Sequence, residues 1–313
     1  MKLNKPKFWD KKNSLISILL FPFSLVVSAS NLLKKKFTKP VEFNIPIICI
    51  GNIYIGGTGK TPASILLANE FLKLGRNPVI LKKYYKDHSD EHNLIREHFK
   101  NFILSQNRID GIRNAEKANY DCVILDDGFQ DCKIKKDLNI VCFSSNQLIG
   151  NGYVLPSGPL RENLSSLIDA HIVLINGSKD DKFEQKILNI NKDLEIFYSN
   201  YKPTNIDQFK NKKLLALAGI GNPDNFFQLM EKNNLDIKEK LIFPDHYQFT
   251  KKEVENIVEV SRNKNYQIIM TEKDFFRIKD YNIEGLKYLK VSLEINDKDR
   301  FIKRLNRLYD KKI

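Results

Sequence analysis

Two short runs hold the residues best suited to chemistry. The first is Gly56-Gly57-Thr58-Gly59-Lys60-Thr61, set between an apolar stretch, Ile45 to Ile50, and a helical pattern, Ala63 to Leu74. Glycines there let backbone N–H groups turn toward phosphate oxygens, and the following helix N-terminus adds positive potential. Lys60 reaches the β- and γ-phosphates, and the Thr61 hydroxyl can hold Mg²⁺. The strict pattern G-x-x-x-x-G-K-[ST] is not met, because its first glycine falls on Tyr54. The second run, Asp126-Asp127-Gly128-Phe129-Gln130, follows the apolar stretch Cys122 to Leu125 directly. A carboxylate at the C-terminal end of a buried strand is where a phosphate-loop enzyme places its metal-side acid. Two adjacent acids there need a cation or donors beside them. The pair of runs points to a nucleotide's phosphates and Mg²⁺.

Other candidates have no motif of their own. Asp90-Glu91 follows a basic, tyrosine-rich turn (Lys82 to Lys86) and opens a helical pattern, where an aspartate is ordinarily a cap. Asp245-His246-Tyr247 precedes a capping box, Thr250 with Glu253. His88, His92 and His98 sit on a polar stretch without metal-site spacing and read as surface residues. Thr271-Glu272-Lys273-Asp274 has its lysine third, the wrong order for a guanine-specificity loop.

The elements that must position these residues read as α/β. Short apolar runs without alternation suit strands covered on both faces of a parallel sheet. They lie at 45–50, 78–81, 122–125, 138–143 and 172–175, with a second set at 214–218, 267–270 and 288–291. The helix at 63–74 places Ile65, Ala68 and Leu72 on one face. The expected architecture is a parallel sheet core like that of P-loop NTPases, a second, smaller α/β lobe, and an apolar N-terminal helical segment. The glycine- and proline-rich run 150–159 marks the junction. This divides the chain into a membrane-associating segment (1–40), a nucleotide lobe (41–152) and a second lobe (153–313), whose last helix can pack back on the first.

A length of 313 residues with 42% hydrophobic content excludes disorder as the main state. Four cysteines, Cys49, Cys122, Cys132 and Cys142, form no C-x-x-C pair, which speaks against a zinc ribbon or a disulfide scaffold. The formal charge of +13 suits any polyanionic partner and selects none. Leu15 to Leu33 is strongly apolar and flanked by Lys11-Lys12 and Lys34-Lys35-Lys36, with Pro22 interrupting it. It suits an interfacial anchor, a buried helix pair, a membrane span or a signal peptide. A nucleotide motif soon afterwards belongs in an ATP-containing compartment.

The ordered series of motifs resembles the tetraacyldisaccharide 4′-kinase family of lipid A biosynthesis in Gram-negative bacteria. The resemblance is carried by Phe8-Trp9, Gly51-Asn52, the run from Gly56 to Pro62, Asp90-Glu91, the run from Asp126 to Gln130, and Asp137-Leu138. It continues through Gly150-Asn151-Gly152, Leu155 to Glu162, Ala218 to Pro223, Phe243 to Tyr247 and Thr271 to Asp274. It implies ATP-dependent phosphorylation of the 4′-hydroxyl of a tetraacylated glucosamine disaccharide 1-phosphate at the cytoplasmic face of the inner membrane. The implied partners are that lipid and an anionic membrane surface, without nucleic acid, for a monomeric enzyme. It also implies roles: Asp90 with His246 as the base for the sugar hydroxyl, and Lys60 and Asp127 at the transferring phosphate. Gly56, Gly57, Thr58, Gly59, Lys60, Thr61, Gln130 and Arg161 would bind nucleotide, and Thr61, Asp126 and Glu91 metal. Under the expected lobe boundaries, Asp90 and His246 come from different lobes.

Two positions depart from the family pattern. Lys82-Lys83-Tyr84-Tyr85 stands where Ser-Arg-Gly-Tyr is usual, and Asp131 replaces a histidine, placing a third acid beside the expected metal site. The alternative function is a membrane-associated P-loop ATPase switch of the partitioning type. Such proteins carry a lysine directly before the paired glycines, where this chain has Ile55. A basic nucleic-acid-binding ATPase would rest on net charge alone.

Overall fold

The computed structural model describes residues 6–12 and 14–310. Residues 1–5 and 13 of the expected N-terminal segment, and 311–313 of the expected second lobe, lie outside the described residues. In chain order the strands are β1 (Ile47–Gly51), β2 (Pro78–Lys83), β3 (Phe102–Ser105), β4 (Cys122–Asp126), β5 (Leu138–Ser144) and β6 (Ile172–Asn176). They continue with β7 (Glu195–Pro203), β8 (Lys213–Ala218), β9 (Asp236–Ile242), β10 (Gln267–Thr271), β11 (Tyr288–Leu289) and β12 (Val291–Ile295). The helices are α1 (Leu15–Phe37), α2 (Lys60–Lys73), α3 (Ser89–His98), α4 (Arg108–Lys117), α5 (Asp181–Leu188), α6 (Pro223–Lys232), α7 (Lys251–Asn263), α8 (Glu272–Ile278) and α9 (Lys298–Asp310).

The larger compact unit comprises residues 6–84, 99–200 and 293–310. Its sheet has the order β12-β7-β6-β5-β1-β4-β2-β3. The pairings from β3 across to β7 are parallel. Strands β1, β4, β5 and β6 are buried along their whole length, as parallel strands covered on both faces must be. Chain order reverses at β1, which lies between β5 and β4, so this fold's ligand crevice falls outside the C-terminal end of β1. Of the expected α2 face only Ala68 is fully buried. Leu72 is exposed, and the inward set is Ser64, Leu67, Ala68 and Phe71. The helix starts three residues earlier than its apolar pattern, at Lys60, and the i, i+3, i+4, i+7 register runs from Ser64.

Helix α1 runs unbroken through Pro22. Its two buried residues are polar, Ser17 and Ser24, with Val27 half-buried against the core, whereas Leu15, Leu19, Phe23, Val26 and Leu32 are each more than 60% exposed. Ser24 donates to the Val154 carbonyl (2.8 Å) and accepts from the Ser157 hydroxyl (2.8 Å), Asn31 donates to the Arg161 carbonyl (3.0 Å), and Lys35 pairs with Asp169. This pattern is the reverse of a helix docked on a soluble core. The buried-helix reading is therefore set aside; by length and composition α1 suffices to cross a membrane.

The smaller unit comprises residues 85–98 and 201–292. Its parallel sheet has the order β11-β10-β8-β9. Successive β8 residues serve opposite cores: Leu214, Ala216 and Ala218 pack with Phe226, Phe227 and Met230, whereas Leu215 and Leu217 pack with Val254, Val258 and Met270.

The units divide the chain differently from the expected boundary at 152/153. The run 150–159 stays inside the larger unit, clipped to α1, and the sheet continues past it through β6 and β7. The segment 85–98 leaves the larger unit because α3 is tied to α8 by ion pairs. Lys273 Nζ lies 2.6 Å from Glu91, and His98 Nε2 lies 2.9 Å from Glu272. Asp90 and His246 therefore belong to one unit, not two.

Candidate active site

In the larger unit, the loop between β1 and α2 is shaped by two glycines at positive φ, Gly56 (105°) and Gly59 (90°), the second serving as the N-cap of α2. Asn52 braces the loop through its amide, which donates to Thr58 Oγ1 (3.0 Å) and to the Gly56 carbonyl (3.3 Å). Gln130 Nε2 donates to the Asn52 carbonyl at 2.7 Å, linking the loop to the run after β4. Phe129 passes so close to Gly51 that a Cβ there would lie 2.4 Å from the Phe129 Cβ, so that position requires glycine.

Parallel register sets Asp126, at the end of β4, opposite Ile50 of β1 and Lys82 of β2. Its carboxylate is fully buried and accepts from Thr61 Oγ1 (3.1 Å), Ser64 Oγ (3.0 Å) and Lys82 Nζ (2.5 Å). Asp127 turns the other way at φ 60°. Its carboxylate receives Arg161 Nη1 (3.0 Å) and lies 3.8 Å from Lys60 Nζ. Burial works to raise the Asp127 pKa, but the charges of Lys60, Arg161 and Lys82 outweigh it and hold the pKa at about 2.

The smaller unit holds a second constellation. His246 Nδ1 lies 3.3 Å from Asp90 Oδ1. Asp90 Oδ2 accepts from Arg277 Nη2 (2.6 Å) and Nε (3.1 Å). Arg277 is fixed in turn by Asp274 (2.6 Å) and the Gly219 carbonyl (2.6 Å), and Asp274 accepts from the Gly219 amide (3.0 Å). Burial opposes the charge on Asp90, yet the His246 hydrogen bond and the cations Lys273 and Arg277 keep its pKa well below the usual carboxylate range. With Nδ1–H donating to an ionised Asp90, a neutral His246 presents Nε2 as an acceptor. The ring is stacked on that of His88, with centroids 4.5 Å apart and planes 11° apart. A carboxylate that orients a histidine is the general-base arrangement of acyl- and phosphoryl-transfer enzymes.

The sequence matches the family described as Tetraacyldisaccharide-1-P 4′-kinase over residues 15–310. It is 40% identical, over 317 residues, to the Tetraacyldisaccharide 4′-kinase of Pelagibacter ubique, covering 99% of this chain and 100% of that protein. The chain belongs to the tetraacyldisaccharide 4′-kinase family. A second relative of the same name, from Rhodopseudomonas palustris, is 30% identical over 88% of this chain and 87% of its own length. The fold is also that of LpxK from Aquifex aeolicus, crystallised in complex with ATP. The TM-score is 0.70 at 23% identity, with 94% of this chain and 99% of that chain covered. The expected α/β architecture and family resemblance are both borne out, and the partitioning-type ATPase is not favoured.

Within this family member, the structure brings Gly56, Gly57, Thr58, Gly59, Lys60, Thr61, Asp126, Asp127, Gln130 and Arg161 into one unit, and Asp90, Glu91 and His246 into the other. The set Thr61, Asp126 and Glu91 is thus split: Glu91 Oε1 is held by Lys273 (2.6 Å). Among the described residues no group of three or more His, Cys, Asp or Glu side chains is arranged for a metal ion. Mg²⁺ takes one or two carboxylates and completes its shell with water and nucleotide phosphate. The Thr61 hydroxyl and the Asp126 carboxylate, 3.1 Å apart, are the fitting donors.

Several readings need correction. Asp90 is the second residue of α3, 1% exposed and clamped by Arg277 rather than sitting at the N-cap position before the helix. His92 is buried, His98 bonds to Glu272 and His88 stacks on His246, so none of the three is a plain surface residue. Asp131 is engaged by Arg108 Nη1 (3.1 Å), whose Nη2 donates to the Asp127 carbonyl (2.6 Å). Sequence reasoning missed Arg277, Lys273 and Lys82. The first two stand in or beside the Thr271-to-Asp274 run, a motif of the family resemblance to which no role was attached.

Proposed function

We infer that the chain transfers the γ-phosphoryl group of ATP to the 4′-hydroxyl of a tetraacylated glucosamine disaccharide 1-phosphate. The observation that carries this reading is family membership across residues 15–310, in a chain whose phosphate loop and histidine–carboxylate pair are both formed. The loop amides and Lys60 take the nucleotide phosphates, and Arg161, drawn toward the same place by Asp127, adds positive charge. The 4′-oxygen forms a bond to the γ-phosphorus as the bond to the β–γ bridging oxygen breaks. His246 accepts the hydroxyl proton at Nε2 and ADP leaves. Asp90 holds the imidazole in the required tautomer and stabilises its protonated form. When bound, Mg²⁺ supplies neutralisation of phosphate charge beside Thr61 and Asp126.

An apolar helix of this length in a lipid A kinase family is consistent with membrane association. We propose that the exposed apolar face of α1 lies in lipid, with Lys34, Lys35 and Lys36 at anionic headgroups, on the cytoplasmic face of the inner membrane where ATP is present. The enzyme is proposed to act as a monomer. Acceptor dependence tests the catalytic reading: ADP release should be slow without lipid disaccharide and rise severalfold with it. ADP release that ignores the acceptor at every concentration would favour an ATPase switch.

A further inference from the structure

We propose that Lys82 is an internal cation that competes with Mg²⁺ for Asp126 and so sets how much metal the reaction requires. The proposal deepens, and rests on, the nucleotide reading of loop 56–61.

Register between β2 and β4 fixes Lys82 beside Asp126. Both side chains are withdrawn from water, at 4% and 0% exposure, and Nζ lies 2.5 Å from Oδ2. Oδ2 is also the oxygen that accepts from the Thr61 hydroxyl (3.1 Å), whereas Oδ1 is occupied by Ser64 (3.0 Å). A metal held jointly by Thr61 and Asp126 therefore needs the oxygen that the ammonium already holds. Mg²⁺ requires its oxygens at about 2.0–2.1 Å in a near-octahedral arrangement. It tolerates no second cation on the same lone pairs, and repulsion between the two charges is strong where water is excluded. Metal entry must then move Lys82 off Asp126, and a buried lysine parted from its carboxylate is costly. That cost is subtracted from metal affinity. Without metal, the same pair keeps Asp126 aimed at Thr61, so the acid stays in position between turnovers.

The test uses full-length enzyme saturated with ADP, and Mn²⁺ as the probe, its affinity measured by electron paramagnetic resonance. Lys82→Met should bind Mn²⁺ roughly tenfold or more tightly than wild type, because the competing charge is gone. Lys82→Arg, which keeps the charge, should remain weak. ADP binding in EDTA and circular dichroism verify that each variant is folded. A folded Lys82→Met enzyme with unchanged or weakened Mn²⁺ affinity would overturn the proposal. If Lys82→Met does not fold, a crystal structure of wild type with ADP and Mn²⁺ decides. Lys82 Nζ withdrawn from Oδ2 supports the competition; the pair retained beside bound Mn²⁺ refutes it. Failure of the wild type to bind ADP at all would instead remove the nucleotide reading, and the proposal with it.

Discussion

Asp90 and Arg277 stand 187 positions apart, yet they meet in a two-pronged ion pair, Nη2 at 2.6 Å and Nε at 3.1 Å from one carboxylate oxygen. The pair fixes the orientation of Asp90 and leaves its other oxygen for His246. Both members are almost wholly buried, so each depends on the other for its charge.

Removing the guanidinium should therefore be severe. Arg277→Met is expected to cost about 3–5 kcal/mol of stability, because Asp90 and Asp274 lose a buried partner together. Arg277→Lys should recover only part of this, since an ammonium cannot reproduce the fork. Urea unfolding of the variants measures the loss, and a change within about 0.5 kcal/mol of wild type would contradict it.

The histidine–carboxylate pair makes a kinetic prediction. Asp90→Asn and His246→Ala should each lower kcat by roughly 10²-fold or more, with little change in ATP affinity. The double variant should be scarcely worse than the worse single one, as for groups acting as a unit. A steady-state double-mutant cycle reads this directly, and fully multiplicative losses would dissolve the dyad.

Most of the sheet was legible in the sequence because buried parallel strands are short apolar runs; every expected strand exists within a few residues, although the run at 288–291 splits between β11 and β12. The strands at 102–105, 195–203 and 236–242 escaped notice. Their residues are largely half-buried or exposed, and β9 alternates exposed with intermediate positions. The unit boundaries escaped as well, because what draws residues 85–98 away from their chain neighbours is a set of ion pairs to α8. No local pattern announces a partner 182 residues distant. The turn at 56–59 between β1 and α2 was readable since its glycines and Lys60 are contiguous. Arg277 was not, because one arginine in a helix looks like any other.

Helix α1 is inside-out, and substitutions should show it. Phe23→Asp with Val26→Asp falls on the exposed face, so it should weaken flotation with anionic vesicles and leave the unfolding midpoint nearly unchanged. Ser24→Leu should do the opposite, costing about 1–3 kcal/mol by orphaning the Val154 and Ser157 groups that Ser24 serves. Unaltered flotation of the double aspartate variant would place lipid contact elsewhere.

Acid should loosen the phosphate site through Asp127. Its pKa falls from an ordinary 3.8 to about 2 in the folded chain, so the unfolded state binds the proton more readily. The stabilisation is complete above about pH 4 and is lost as pH falls from about 4 to about 2. The gap in urea midpoint between wild type and Asp127→Asn should be open at neutral pH and close across that window. A gap that stays constant down to pH 2 would contradict the assignment.

Transfer itself tests the central claim most directly. Purified enzyme, ATP labelled on the γ-phosphate and tetraacylated disaccharide 1-phosphate should yield label on the lipid in proportion to ADP formed. A matched lipid lacking the 4′-hydroxyl should acquire none. Label released only as inorganic phosphate, at a rate indifferent to either lipid, would contradict the account.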